Sequence, residues 1–169
     1  SIAEKELEFA GDTRIWLADG TEMVSEHAAA DLIQEVAKID QEFQFQRGNI
    51  SGNGGSLRYS FPQREMRVAE GLTLVTSSGG RQFQATAREG IYRLSEQEVE
   101  LLNGASISSG DAQLKAEQIG ILLSGEYQIG RVLSSGQARL QASPVNAFSG
   151  SRINILFDSE SNRLDKIEI

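Results

Sequence analysis

Cysteine is absent from this 169-residue chain, which also has only two prolines, one tryptophan and one histidine. The lack of cysteine excludes disulfide scaffolds, thiolate metal sites and cysteine nucleophiles. A Ser-His-Asp triad would have to use His27, and no Gly-x-Ser-x-Gly elbow accompanies it. A lone histidine in an alanine-rich segment is typical of a structural or solvated side chain. We therefore predict a protein that is not an enzyme and that has no metal site or cofactor.

Net charge and length further restrict the class of protein. The formal net charge is -8 and the sequence pI is about 4.7, which argues against a nucleic-acid partner held by phosphate neutralisation. The first twenty residues contain no uncharged apolar run, so they predict neither a signal peptide nor a transmembrane helix. We interpret the chain as a mature or trimmed form. Its length predicts a single domain over residues 1–169.

Glycine is plentiful, and its spacing reveals an internal repeat. Gly71, Gly104 and Gly136 lie 33 and 32 residues apart, each in a similar stretch of alternating apolar and polar residues. Phe83 and Ala85, for example, alternate with glutamines. A period of two indicates strands with one buried face. The repeat predicts an all-β fold of at least about ten short antiparallel strands, with no helix longer than about two turns.

Residues 21–39 do not fit this pattern as clearly. The segment is rich in helix formers, and Val24, Ala28 and Leu32 would share one face of an amphipathic helix. Aligned with the other copies of the repeat, however, Leu32 matches Leu94. Because helix propensity is a weak prior, we let the repeat decide and predict strands here.

Two clusters of residues can be interpreted either as functional sites or as ordinary structural features. Glu96, Glu98 and Glu100 would share one face of a strand, where they could bind a cation or act in glycoside hydrolysis. A charged outer face that discourages edge pairing explains them more simply. The glycine-rich residues 52–55 lack the third spaced glycine of a dinucleotide loop and predict a hairpin or a bulge.

A family resemblance rests on the repeat itself. The unit Ala-x-x-x-apolar, followed by Val/Leu-x-Leu-x-Gly-x-x-Ile, is clearest in residues 83–140, and FSGSRINILFDSESNRLDKIEI closes the chain. Over nearly its whole length the sequence resembles the OstA-like β-jellyroll family of the lipopolysaccharide transport (Lpt) bridge. Within that family it is most similar to the inner-membrane-linked component, LptC, and next to the free component, LptA. It departs at residues 21–39, where Ala30 replaces the usual aromatic residue, and it does not include the family's membrane anchor.

The resemblance implies a bent two-sheet β-jellyroll with an apolar interior groove. Such a roll shields the acyl chains of lipopolysaccharide in the periplasm and relays them toward the outer membrane, with no chemistry on the lipid. It implies homologous β-jellyroll proteins and an inner-membrane ABC transporter complex as partners. It also allows attachment to the inner membrane through a segment outside this sequence. A structural or ligand-binding β-solenoid with a filled core and no lipid cargo is the alternative.

Alternation and the resemblance together predict the site. We expect acyl chains to contact apolar residues of the middle repeats, namely Leu74, Phe83, Leu101, Ile107, Leu114 and Leu140. Inward alanines such as Ala85, Ala105 and Ala138 leave volume that either tight packing or a lipid would fill.

The terminal strands predict where a partner docks. The C-terminal stretch LDKIEI has no proline, and Glu4, Lys5, Glu6 and Glu8 charge the N-terminal edge more heavily. We therefore expect a homologous roll to add a strand at the C-terminal edge, at Leu164, Ile167 and Ile169. A frayed terminus is the alternative.

Overall fold

All the regular structure is β. The computed structural model describes residues 6–124, 128–158, 160–161 and 163–169, and over these ranges it contains strands and turns but no helix. The strands are β1 (Glu6–Trp16), β2 (Glu22–Asp31), β3 (Val36–Ile39), β4 (Phe43–Arg47), β5 (Ile50–Ser60), β6 (Glu65–Ser78), β7 (Arg81–Ala87), β8 (Glu89–Arg93), β9 (Glu98–Ser109), β10 (Ala112–Ser124), β11 (Gln128–Ser143), β12 (Asn146–Phe157) and β13 (Leu164–Glu168). The predicted all-β fold is confirmed.

The thirteen strands form one antiparallel sheet that divides into two halves. Its order is β1-β2-β3-β5-β6-β7-β9-β10-β11-β12-β13, with β4 pairing with β2 and β5, and β8 with β6 and β9. Half-sheet I consists of the short strands β3, β8 and β13 and of the half of each long strand that lies beside them. Half-sheet II consists of β4, β7 and the remaining half of each long strand. Since each long strand serves both halves, strands reach 16 residues in β11, longer than the short strands predicted.

The repeated glycines lie where the long strands pass from one half-sheet to the other. Gly71, Gly104 and Gly136 have φ of +99°, +89° and +77°, and Gly11 on β1 has +82°. Pairing breaks or shifts at each of these points. Left-handed backbone is costly for residues with a Cβ but not for glycine. The repeat found in the sequence therefore marks the corners of β6, β9 and β11.

Residues 21–39 form strands, as the repeat predicted. β2 and β3 are joined by a four-residue turn that begins at Leu32 and ends at Glu35 in left-handed conformation (φ +52°). The Asp31 carboxylate accepts the backbone N–H groups of Ile33 and Gln34 at 2.9 and 2.8 Å. Leu94 also begins a four-residue turn, so its match with Leu32 holds in three dimensions.

The glycine-rich segment lies inside β5 and is not a hairpin. The bulge prediction is confirmed, because the register shifts between Gly54 and Ser56. On the partner strand, Phe45 faces Gly52 and Phe43 faces Gly54. A Cβ on Gly54 would lie 2.7 Å from the Phe43 ring. The glycines therefore make room for two aromatic rings.

No helix in the described part of the chain is long and apolar enough to span a membrane.

Candidate functional site

Half-sheet II presents one uninterrupted inward row. It passes from strand to strand through Ile15, Met23, Phe45, Gly52, Leu74, Ala85, Ile107, Leu114, Leu140 and Phe148. Four residues predicted to contact lipid, Leu74, Ile107, Leu114 and Leu140, belong to this row. Cross-strand neighbours on one face lie about 4.5–5.5 Å apart, so the row forms a continuous apolar strip.

Half-sheet I presents a matching row. Its members are Leu7, Ala30, Ala37, Tyr59, Met66, Tyr92, Val99, Ile121, Val132, Ile155 and Ile167. Side chains of both rows meet in a single hydrophobic cluster. Apolar surface therefore lines the interior from β1 to β13.

A small cavity remains between the half-sheets. Its volume is about 80 Å³, and its walls are mainly apolar side chains from both halves. Leu74, Phe83 and Ile107 line it, as does Ala85. A 150 Å³ engineered cavity holds one benzene molecule, so this space is too small for an acyl chain. A chain could enter only if the half-sheets moved apart.

The other predicted lipid contacts and alanines lie in the packed core. Leu101, Leu114 and Leu140 are buried and do not border the cavity. Ala105 and Ala138 are also buried away from it, close to the corners at Gly104 and Gly136. Tight packing, the first of the two interpretations, accounts for these two alanines.

Side-chain contacts hold the mouth of the roll, where the free ends of the half-sheets meet. The rings of Phe83 (β7) and Phe157 (β12) meet edge-to-face, with centroids 6.2 Å apart. Farther along, the Ile129 N–H donates to the Ser78 hydroxyl at 3.2 Å. Beyond Phe83 lies a surface depression of about 540 Å³ that Leu164 also lines. Phe83 thus separates the interior cavity from the outside.

The mouth also contains a buried ion pair. Arg47 Nη1 lies 2.8 Å from Asp19 Oδ2, and the two side chains are only 10% and 5% exposed. Arg47 also donates a hydrogen bond to the Tyr92 hydroxyl, and its guanidinium lies 5.8 Å from the ring centroid. The group connects the β1–β2 turn and half-sheet II to half-sheet I.

Sequence reasoning missed this polar cluster, although a signal was present. Phe43, Phe45 and Arg47 alternate with glutamines in FQFQR, which points Arg47 inward with the two rings. Nearby, burial raises the pKa of the Tyr59 hydroxyl, and the negative charge of Asp19 raises it further.

The predicted row of three glutamates is only partly formed. Glu96 lies in the turn before β9; the other two contact Arg93, at 3.4 Å for Glu98 and 2.8 Å for Glu100. Glu65 approaches the same guanidinium at 3.4 Å. The hydrogen bond that Arg93 donates to Glu100 is the main cause that raises the pKa of Arg93. This arrangement fits a charged outer face, and no three metal-ligating side chains cluster among the described residues.

The C-terminal edge exposes apolar side chains. β13 pairs only with β12 among the described strands. A bulge at Asp165 turns Leu164 and Ile167 toward the same side. Ile167 packs against the core, whereas Leu164 and Ile169 are 50% and 63% exposed.

The N-terminal edge exposes apolar side chains as well. Leu7 and Phe9 of β1 are 47% and 46% exposed, although β1 also carries Glu6 and Glu8. Glu4 and Lys5, which were predicted to charge this edge, lie outside the described residues. In the part of the chain that the structure describes, both ends of the roll therefore expose apolar side chains.

Comparison with known proteins finds a likeness in structure but none in sequence. No protein-family model matches the sequence, and no curated protein matches it. The fold is similar to that of LptH from Pseudomonas aeruginosa, described as the LptA homologous periplasmic component of the conserved lipopolysaccharide transport device. The two are 12% identical, the match covers 89% of this chain and 95% of the LptH chain, and the TM-score is 0.59. This chain has the β-jellyroll fold of that LptA homologue.

Proposed function

We propose that this protein is a periplasmic component of lipopolysaccharide transport that shields acyl chains between its half-sheets and relays them toward the outer membrane. The observation that carries the proposal is the pair of inward apolar rows, which between them cross every described strand from β1 to β13, with apolar side chains exposed at both edges. A carrier that passes a lipid to a neighbour needs such a path. The fold shared with LptH supports the same function.

Loading requires the mouth to open. Its contacts are made by side chains, including the Phe83–Phe157 pair and the Arg47–Tyr92 hydrogen bond. The half-sheets can therefore separate there while the strands within each half-sheet remain paired. Each acyl CH₂ that is buried contributes about 0.8 kcal/mol, which offsets the lost contacts.

The site residues follow from this path. Leu74, Phe83 and Ile107 border the cavity and make the first acyl contacts. Leu101, Leu114 and Leu140 join them when the half-sheets part. A homologous roll docks at the C-terminal edge through Leu164, Ile167 and Ile169, which extends the apolar rows into the next molecule.

The proposal also specifies which component of the transport bridge this protein resembles. The sequence resemblance favours an LptC-like component that meets the inner-membrane ABC transporter complex, with an LptA-like component second. Co-purification from detergent-solubilised membranes distinguishes them, because an LptC-like protein retains the transporter subunits and a free component does not.

Site-specific photo-crosslinking tests the acyl path. A photoreactive residue is placed at Leu74 or Phe83 on the cavity wall, and at Arg67, which is exposed on the outer face of β6. In a host that makes lipopolysaccharide, the two wall positions should capture it and position 67 should not. Equal labelling at all three positions would show that the interior is not the path.

The small cavity supports a second candidate, a structural β-module with a filled core. Native mass spectrometry of protein purified from the same host separates the two. A carrier retains a lipid mass, while the structural module shows only the mass of the polypeptide.

A further inference from the structure

The surface depression outside the mouth carries positive charge. Its volume of about 540 Å³ lies within the range of about 300–1,000 Å³ that is typical of ligand sites. Arg81, at the start of β7, and Arg163, just before β13, both line it and are both exposed. Among the described residues, no carboxylate forms an ion pair with either guanidinium. The depression therefore offers two positive charges without a counter-charge.

Arg81 continues the inward face of β7. Phe83 and Ala85 follow it at intervals of two residues, and both line the interior cavity. Side chains two residues apart on a strand share a face, so Arg81 stands where the inward face of β7 leaves the core and reaches the surface. This cation therefore lies at the entrance to the apolar interior.

The rest of the lining is apolar or has no side chain. Phe83, Phe157 and Leu164 contribute apolar surface. The β6–β7 turn contributes Gly79 and Gly80, with φ of +57° and +74°, the left-handed pair that a two-residue hairpin turn requires. Neither glycine has a side chain that would fill the depression. Cations and apolar surface together suit a ligand that has an anionic head and an alkyl chain.

Charge and geometry decide which anionic head fits. Each guanidinium carries one positive charge and presents a fork of N–H donors that matches phosphate and carboxylate oxygens. A phosphate monoester has about two negative charges near neutral pH and three acceptor oxygens, so it can pair with both arginines. A carboxylate has one negative charge and two oxygens, which a single bidentate arginine satisfies. Two arginines therefore favour phosphate over carboxylate.

We propose that the depression between the β6–β7 turn and β13 binds the phosphate group of an amphiphile, with Arg81 and Arg163 on the phosphate and the alkyl chain against Phe83, Phe157 and Leu164. The chain lies in the depression and needs no room in the interior cavity. The inference rests on the proposed function, in that amphiphiles enter at this mouth. It adds the chemical group that is recognised there before the half-sheets part.

Isothermal titration calorimetry at pH 8, with each ligand below its micelle concentration, tests the site. Octyl phosphate should bind roughly tenfold or more tightly than inorganic phosphate, 1-octanol or octanoate. Inorganic phosphate lacks the alkyl chain, octanol lacks the charge, and octanoate lacks the second charge. The comparison with inorganic phosphate distinguishes a phosphorylated amphiphile from free phosphate as the source of the bound group.

The variants Arg81→Gln and Arg163→Gln should each weaken octyl phosphate binding by roughly tenfold, the size of a hydrogen bond to a charged group. Arg152→Gln is the matched control, because Arg152 is exposed on β12 and does not line the depression; the same loss of charge there should leave binding unchanged. None of the three arginines forms an ion pair with a described residue. All three variants should therefore keep the unfolding temperature of the parent, so that weaker binding cannot result from misfolding.

Two results would overturn the inference. One is an octyl phosphate affinity no higher than that of octanol, octanoate or inorganic phosphate. The other is a loss of affinity in Arg152→Gln as large as in Arg81→Gln, which would show that only net charge matters.

The crosslinking result separates this inference from the proposed function. If Phe83 captures lipopolysaccharide but octyl phosphate shows no preference, the function stands and the phosphate site is wrong. If octyl phosphate binds with the arginine dependence but crosslinking fails at Leu74 and Phe83, the phosphate site stands and the transport function is wrong.

Discussion

Phe83 and Phe157 meet edge-to-face across the mouth of the roll, one from each half-sheet. β7 and β12 are not neighbours in the sheet, so this contact is made by side chains alone. Phe83 also borders both the interior cavity and the outer depression. The ring pair therefore lies between the two spaces.

Replacing the two rings with leucine should show that their contributions to the free energy of unfolding are coupled. In a double-mutant cycle with Phe83→Leu and Phe157→Leu, urea unfolding should give a coupling of about 0.5–1.5 kcal/mol, as expected for an edge-to-face pair. The Phe157 variant should also load lipid faster. Phe61→Leu is the control, because Phe61 makes its edge-to-face contact with Tyr59, at 4.9 Å between ring centroids, and not with Phe83 or Phe157. Strictly additive effects of the leucines at 83 and 157 would contradict this role.

The corner glycines should not tolerate a side chain. Gly71→Ala and Gly104→Ala meet no steric obstacle but force alanine to φ near +99° and +89°. Each should lower the free energy of unfolding by about 1–2 kcal/mol, the cost of left-handed backbone.

Gly120→Ala is the control for these variants. Gly120 lies in β10 without a positive φ, and an added Cβ there would come no closer than 3.8 Å to Leu133 O. Denaturation with urea should show little change for this variant. A similar loss at position 120 would mean that the corners are not special.

Much of the fold could be predicted because a single sequence repeat recurs along the chain. The spacing of Gly71, Gly104 and Gly136 reflects the corners, and the period of two identifies inward residues. Strand length was underestimated, since alternation continues across a corner only with a register shift that the sequence does not display. Alternation alone would also place Phe61 inward, two residues after Tyr59, yet β5 ends at Ser60 and Phe61 lies in the turn, 48% exposed.

The site was harder to predict than the strands. Alternation identifies which side chains point inward, but it does not show which of them border free volume and which pack tightly. Leu74 and Leu140 share one row, and only Leu74 borders the cavity. The Asp19–Arg47 pair joins the β1–β2 turn to the end of β4, and the hydrogen bond from Arg47 to Tyr92 depends on how the half-sheets close. Tertiary packing, which periodicity does not encode, decides both features.

Breaking the buried ion pair should be costly unless both partners change. Arg47→Met leaves Asp19 buried without its counter-charge, and we expect a loss of about 3–5 kcal/mol in the free energy of unfolding. The double variant Asp19→Asn, Arg47→Met should recover a large part of that loss, because no unpaired charge remains. Urea denaturation measures both; a double variant as unstable as the single one would show that packing of the arginine stem dominates.

Acid should remove the contribution of the Asp31 carboxylate. The backbone N–H of Gln34 is the main cause that lowers the pKa of Asp31, assisted by Ile33, Lys38 and Arg58. Since the folded pKa lies below the unfolded value near 3.8, this stabilisation is present above that pH and is lost as pH falls through the folded pKa. Asp31→Asn, which keeps an acceptor, should be less stable than the parent at pH 7 and equally stable at pH 2. A difference that persists at pH 2 would indicate a steric cause.

The C-terminal edge offers a direct test of partner docking. Proline at Ile167 would remove a main-chain donor, but Ile167 pairs with Ile155 and packs against the core, so that variant would also destabilise the roll. Leu164→Lys and Ile169→Lys act on exposed positions instead. Lysine on an edge strand opposes strand addition, so each should weaken binding of a homologous roll at least tenfold in a pull-down or by interferometry, with an unchanged unfolding temperature.

Val145→Lys serves as the control for the edge variants. Val145 is 89% exposed in the turn before β12, away from β13, and its substitution adds the same charge without touching the edge. Because the protein carries a net charge of -8, this control also reports any general effect of added positive charge on association. If all three lysine variants bind the partner equally well, strand addition does not occur at β13, and the exposed apolar residues of β1 become the docking edge to test.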